Sequence, residues 1–306
     1  MLPEAAVRGK TRRTRAAKPA ITMIEALQIE SSLGSWTQAH WAPAADDSLT
    51  GVVERVWDFE GTLAARREQT FPNGFAELIV QLDEPHRPVA ASAGSPFPAL
   101  CVDGLQTTTT TVEGPRTRCR VLGIRLHPCG AYALLRHSLR DITDQCVELD
   151  AALGVASAEL GQTLEAERSG QRRIASAVRW VRARMAKPPA VEPLVERALR
   201  LIDRHGGAVT LAQLDELVGR SRSRFAAAFR DHVGLSPKRY ARIVRFRRAL
   251  ELLGAGPQPL HGVALSAGYY DQAHMNAEFR EHAGLTPGEY LRAMRYPYSD
   301  HLTLPV

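Results

Sequence analysis

Residues Phe225–Arg245, FAAAFRDHVGLSPKRYARIVR, return 50 positions later as Met275–Arg295, MNAEFREHAGLTPGEYLRAMR. Ten of the 21 aligned positions are identical: Ala227/Ala277, Phe229/Phe279, Arg230/Arg280, His232/His282, Gly234/Gly284, Leu235/Leu285, Pro237/Pro287, Tyr240/Tyr290, Arg242/Arg292 and Arg245/Arg295. Two copies are too few for a stacked array of repeats, in which each unit buries its apolar face against neighbours. Two similar small helical units at a basic end of a chain suggest a paired nucleic-acid reader.

The flanks of each copy support that reading. Ahead of the first copy, Pro193–Arg204 puts Leu194, Val195, Ala198, Leu199 and Ile202 on one side of a helix that ends at His205-Gly206-Gly207. Thr210 is a suitable N-cap for Leu211–Val218, Gly219 a tight turn, and Ser221 a cap for Arg222–Val233, which Gly234 closes. Helix, glycine turn and second helix make a helix-turn-helix, followed by a long helix Pro237–Leu253. The second unit repeats the plan with His261–Ala267, Gly268, Asp271–Ala283 and Pro287–Arg295. Its turn glycine stands seven residues before Met275, whereas Gly219 stands six before Phe225, so the register breaks at the turn.

The stretches LVGRSRSRFAAAFRDHVGLSPKRYARIVRFRRALELL and GVALSAGYYDQAHMNAEFREHAGLTPGEYLRAMR resemble the AraC/XylS family of bacterial transcription regulators. The second carries most of the likeness, with AxxAGYxDQxHxxxxFR followed by GxTPxxY. The resemblance covers about 100 residues, and it implies two helix-turn-helix units joined by a long helix, with recognition helices in successive major grooves. It also implies the contact residues. On the first reader these are Arg222, Ser223, Arg224, Ala226, Ala227 and Arg230. Ser223, Ala226 and Ala227 fall where base contacts are common; the alanines suit a thymine methyl. Arg222, Arg224 and Arg230 are expected on phosphates, with guanine an alternative for Arg224. On the second reader they are Tyr270, Asp271, Gln272, Ala273, Asn276, Ala277 and Arg280, with Gln272 and Asn276 suited to bidentate reading of adenine. His274 is expected to pack and cap. Lys238 and Arg239 stand at a helix start, a natural phosphate site. One position departs from the pattern: Asp215 stands where a small residue, like Ala264 in the second unit, is usual.

Charge is distributed accordingly. Residues 1–20 carry a net +5, residues 21–190 a net −3 and residues 191–296 a net +5, and Asp300 brings the total to +6. Basic ends around a mildly acidic middle suit a polyanion-binding end joined to a domain with another task. The leader has no hydrophobic periodicity and no apolar signal core, and no stretch is long enough to span a membrane, so a cytoplasmic protein is expected. Cys101, Cys119, Cys129 and Cys146 form no CxxC pair or zinc spacing, and reduced thiols are expected.

Between about 21 and 150, short strand-like segments alternate with turns: Val52–Phe59, the turn Phe71-Pro72-Asn73-Gly74, Ala76–Leu82, the threonine-rich Gln106–Val112, and Cys119–Leu126. A helix Ala131–His137 follows Pro128-Cys129-Gly130, and residues 151–187 read as helical until Pro188-Pro189. The expected fold is therefore two-domain. An α+β N-terminal domain, a small β-barrel or sandwich with following helices and cupin-like by analogy, precedes an all-α domain with two helix-turn-helix units. The boundaries read as a basic tail 1–20, a regulatory or sensor domain 21–187, a linker 188–192, a DNA-binding domain 193–296 and a tail 297–306.

The front domain also resembles, less specifically, a bacterial domain that commonly precedes such readers, in FPNGFAELIVQL, VLGIRLHPCGAYALL and LRDITDQCVELDAALG. His86, His127 and His137 match no metal spacing and Glu77 stands alone in an apolar strand, so no metal, catalytic residue or cofactor is expected. Cys129 beside a helix start is the one residue with a chemical argument, because a helix N-terminus lowers a thiol pKa. The expected function is sequence-specific promoter binding tuned by the front domain. The alternatives are a thiol-reactive sensor acting through Cys129 and a non-specific architectural binder. Double-stranded promoter DNA is the expected partner; RNA polymerase, a small-molecule effector and a second copy of the chain are further candidates, and a membrane is not.

Overall fold

The computed structural model describes residues 24–31, 34–63, 67–89, 95–153, 156–219, 222–294 and 301–304. The basic leader and Ser221 lie outside them.

The front half contains β1 (Glu25–Ser31), β2 (Gly34–Trp41), β3 (Val53–Leu63), β4 (Arg67–Thr70), β5 (Ala76–Gln81), β6 (Arg87–Pro88), β7 (Leu100–Asp103), β8 (Thr110–Glu113), β9 (Cys119–Leu126) and β10 (Cys146–Glu148). Seven strands form one antiparallel sheet in the order β1-β2-β3-β9-β5-β7-β10. A second antiparallel sheet runs β11-β4-β8-β6, where β11 is His301–Leu304, within the segment expected as a tail. Among the described residues the larger sheet stays open, because its end strands β1 and β10 do not pair with each other. The α+β front domain is thus built of two sheets and is not a closed barrel.

β9 has the bounds its alternation predicts, but it is the central strand, buried on nearly every position, including Arg125. The threonine run departs from expectation. Only Thr110–Glu113 is strand, because Asp144 Oδ1 and Oδ2 accept from Thr107 N and Oγ1 (2.6 and 2.8 Å) and Gln106 Nε2 donates to Asp103 Oδ1 at 2.6 Å. β-branched propensity loses there to a carboxylate 37 residues away.

The helices after the sheets are α1 (Pro128–Leu135), α2 (Leu149–Leu153), α3 (Ala156–Ala166) and α4 (Gly170–Arg184), so the expected helical run is broken twice. Ser169 caps α4 by accepting from Arg172 N. α4 lies across β2 and β3 through Ile174, Ala177, Val178 and Val181, as its helical spacing requires. Its Arg173 is buried and donates to Asp58 (2.6 and 2.8 Å) and to Glu60 (2.6 Å) on β3. The two carboxylates and the bidentate geometry are what make that buried charge tolerable.

The C-terminal helices are α5 (Pro193–Arg204), α6 (Leu211–Val218), α7 (Arg222–Val233), α8 (Pro237–Gly254), α9 (Leu260–Ser266), α10 (Gln272–Ala283) and α11 (Pro287–Ala293). α5, α6 and α7 have the bounds read from the sequence, while Asp271 proves to be the N-cap of α10. The two halves share their cores. One buried cluster runs continuously from Ala39 to Val244, taking in β-sheet residues, α4, α5 and the first helix-turn-helix. A second gathers Phe246, Phe279 and Tyr290 around Phe71, a front-domain residue. Sequence alone reads Phe71-Pro72-Asn73-Gly74 as a turn. In the structure it is also a plug: Asn73 O accepts from Arg247 Nη1 of α8 at 2.8 Å.

Candidate nucleic-acid interface

In the first unit, Thr210 and Gln213 form a reciprocal capping box at the start of α6, and Gly219 turns the chain at φ +61°. In the second, Gly268 turns at φ +88°, and a Cβ there would stand 2.5 Å from that of Ala208. Apolar residues Phe225 and Phe229 of α7, and Met275 and Phe279 of α10, face inward and are buried. The opposite faces are therefore free to meet a ligand.

Along α7, Arg222, Ser223, Arg224, Ala227 and Arg230 are exposed and Ala226 is half-buried. Lys238 and Arg239 are exposed in the first turn of α8, where the cap Ser236 accepts from Arg239 N. In the second unit Tyr270 is 87% exposed, and Ala273, Ala277 and Arg280 are exposed. Gln272 and Asn276 are half-buried, and the Asn276 Oδ1 is buried without a hydrogen-bond partner among the described residues. In that rotamer Asn276 does not offer its acceptor to a base. Asp271 is exposed, but its Oδ1 accepts from His274 N at 2.7 Å, which commits that oxygen to capping. The His274 ring stands edge-on to Tyr269 and accepts from Tyr270 N at 3.4 Å, a packing and capping position.

Three features escape a reading of the repeat alone. Asp215, the departure from the pattern, pairs with Arg222 at 3.1 Å across the turn, both side chains remaining largely exposed. Glu278 of α10 is buried and accepts from Arg242 Nε (2.8 Å) and Arg245 Nη2 (2.6 Å) of α8. Burial alone would raise its pKa, but the hydrogen bonds from Arg245 and Arg242 outweigh it and hold the carboxyl below the ordinary range. The third feature is where α7 and α10 end.

Both C-termini dock on the front domain. At α10, the His282 carbonyl accepts from Thr109 N (2.9 Å) and Thr109 Oγ1 (2.8 Å), and Ala283 O accepts from Gln69 Nε2 (3.4 Å). The His282 ring in turn lies with Nδ1 2.9 Å from Thr107 O, so Nδ1 is the donor. At α7, the His232 ring stacks on Tyr132 with centroids 3.9 Å apart, Gly234 O accepts from Thr143 Oγ1 (3.1 Å) and Asp231 O from Ser138 Oγ (3.5 Å). Gly234 is at φ +84°, and a Cβ there would strike Thr143 Oγ1 at 2.4 Å. Helix C-termini carry unpaired carbonyls and partial negative charge, and the front domain supplies hydroxyl donors at α7 and hydroxyl, amide and backbone donors at α10. The repeat identity His232/His282 thus marks docking positions in both copies, while of Gly234/Gly284 only Gly234 meets the front domain.

Glu77 accepts from Trp57 Nε1 (2.5 Å) and Arg125 Nε (3.3 Å). Cys129 stands in the first turn of α1, yet burial pushes its thiol up to about 12, with Glu196 adding to the rise. A thiol held that high stays protonated at neutral pH, which argues against a thiolate sensor at this position. Among the described residues no group of three or more His, Cys, Asp or Glu side chains is placed to hold a metal ion, and no helix is long and apolar enough to cross a membrane.

Residues 215–293 match a family model described as a helix-turn-helix domain, and residues 42–148 match a domain of unknown function (DUF6597). An uncharacterized HTH-type transcriptional regulator of Haemophilus influenzae is 39% identical over 64 residues, 21% of this chain and 22% of that protein. The chain therefore spans about a fifth of that relative's length. Among solved structures, the C-terminal domain of AraT, a response regulator from Geobacillus stearothermophilus, is similar at 26% identity and TM-score 0.33, covering 36% of this chain and 94% of that one. ToxT from Vibrio cholerae is similar at 10% identity and TM-score 0.42, covering 74% of this chain and 95% of that one.

Proposed function

We propose that this chain, whose C-terminal domain is of the AraC type with two helix-turn-helix units, is a transcriptional regulator that binds promoter DNA through both units at once. The observation that carries this reading is the arrangement of α7 and α10. Each exposes one face with arginines, three on α7 and Arg280 on α10, while its far end is fixed on a common front domain. Cations supply non-specific phosphate attraction, and polar side chains on the same faces supply base readout.

In this reading Arg222, Arg224, Arg230, Arg280, Lys238 and Arg239 grip the backbone, and Arg222 does so from a position set by Asp215. Ser223, Ala226 and Ala227 meet bases in the first groove. Gln272 reads in the second, with Ala273 and Ala277 against methyl groups and Tyr270 at the groove edge. Asn276 joins after its amide turns outward. Asp271 holds the helix start rather than a base. The front domain modulates the readers by holding both recognition-helix ends, so a signal that shifts 107–109 or 138–143 alters their spacing or orientation.

Selection of full-length protein on a randomised duplex library tests the proposal. Two motifs with centres about 10 base pairs apart are expected, because successive major grooves recur about every 34 Å. A single motif, or enrichment by charge alone without sequence, would overturn it.

A further inference from the structure

Between the halves lies an open cleft of about 630 Å³. Its front wall is the loop around Val52 and the start of α1 at His127-Pro128-Cys129. Its roof is the connection near Met185 and Pro189, and its far wall is α5 with Leu199, Arg200 and Arg204. The volume is that of a site for a small organic molecule.

The chemistry of the walls narrows the occupant. Val52, Pro128, Met185 and Leu199 give an apolar lining. The charges on α5 balance: Glu196 and Asp203 face the cleft with Arg200 and Arg204, Glu196 is paired with Arg200 at 3.4 Å, and Asp203 lies 3.5 Å from both Arg247 and the Tyr240 hydroxyl. Two acids and two bases leave this lining without net charge, so neither sign of ligand is favoured. At the front wall the His127 ring is oriented by an edge contact to Phe75 at 5.3 Å, and its backbone N–H is fixed by Val52 O at 3.0 Å. Burial keeps that imidazole neutral by lowering its pKa. The ring has no hydrogen-bond partner among the described residues, so one donor and one acceptor remain for a ligand.

We propose that this cleft binds a small, uncharged, mostly apolar molecule carrying one hydroxyl, carbonyl or amino group that meets the His127 ring. The site joins the front domain to α5, which packs against α7 and α8. An occupant therefore bears on the first reader.

N-Phenyl-1-naphthylamine, a neutral fluorescent aromatic amine, is the probe, titrated into full-length protein without DNA. Saturable binding at one site per chain is expected. Thr50→Trp at the cleft mouth should weaken it about tenfold or more by filling the space. His127→Phe, which keeps the edge contact to Phe75, should weaken it about 2–10-fold through loss of one hydrogen bond. If thermal melts show that Thr50→Trp misfolds, Val191→Trp on the opposite rim takes its place. Non-saturable binding, wild-type affinity in both the tryptophan and the His127→Phe variants, or tighter binding of the anionic 8-anilinonaphthalene-1-sulfonate would overturn the proposal. With no DNA present, the result is independent of whether the chain regulates transcription.

Discussion

Glu278 on α10, in the second helix-turn-helix unit, and Arg245 on α8, the helix that closes the first unit, meet at 2.6 Å in a buried ion pair. The counterpart of Glu278 in the first copy is Ala228, so the pair has no equivalent there. Arg242 shares the same carboxylate and also pairs with Glu281. Two arginines that are identical in both copies thus serve a contact between the copies. The pair fixes α10 against α8 and so sets the second helix-turn-helix unit relative to the first.

Glu278→Ala, which installs the residue of the first copy, removes one partner of a buried network and leaves two arginines facing each other. A loss of about 3 kcal/mol in urea unfolding is expected, at the low end for a broken buried pair because the arginines keep some solvent. A loss below about 0.5 kcal/mol, the level of an exposed pair, would show that the contact does not persist in solution.

Gln272→Ala should cost about 1–3 kcal/mol at one base pair and relax preference there, leaving the other positions of the site unchanged. Equal weakening on all sequences, read by competition binding over single-base variants, would remove Gln272 from base readout. Because the Asn276 acceptor is turned inward, Asn276→Ala is expected to have the smaller effect.

Arg239→Ala should lower affinity across sequences alike and reduce the slope of log affinity against log salt by about 1. The residue stands exposed in the first turn of α8, where an anion also meets the helix N-terminus. An unchanged slope would place the DNA backbone elsewhere.

The helical half was legible because its signals are local. Thr210, Gly219, Gly234 and Pro237 cap, turn or start helices by their own chemistry, and α6 begins and ends, α7 ends and α8 begins where those residues say. The front half was less so. β1 and β2 carry no clear alternation, and the threonine run yields to Asp144, a partner no window around it contains. The docking of the halves was not legible at all. Phe71 and Phe75 sit in what reads as a turn and the start of a strand, while their neighbours, Phe246 and Arg247, lie about 170 residues on. His232 and His282 look like scaffold when the copies are compared, because a shared docking role and a shared folding role leave the same identities.

Phe71→Ala tests how far the second unit's core depends on the front domain. Phe71 is 1% exposed, between Phe246 and Tyr290. Loss of its ring should cost about 3–5 kcal/mol through lost burial and the cavity left behind. Hydrogen exchange should then quicken in α10 and α11 as well as in the front domain. Exchange quickened in the front domain alone would mean that the second unit holds its core without Phe71.

His282 gives the interface a pH dependence whose sign is fixed. Burial pushes the imidazole below its ordinary value of 6.5, since charging it would leave a second N–H, on Nε2, buried without an acceptor. The unfolded chain therefore takes up a proton at higher pH than the folded one. The stability from the neutral ring is whole above 6.5, is lost as pH falls through that value, and levels off once the folded form is protonated too. In His282→Phe this term vanishes along with the bond to Thr107. The variant should be less stable than wild type at pH 7.5, yet lose less on acidification, by up to about 1.4 kcal/mol per pH unit below 6.5. Comparing variant with wild type cancels the other buried groups, among them His127 and Asp103, whose pKa burial raises to about 7. Parallel stability–pH curves for the two proteins would show that His282 is not the titrating group.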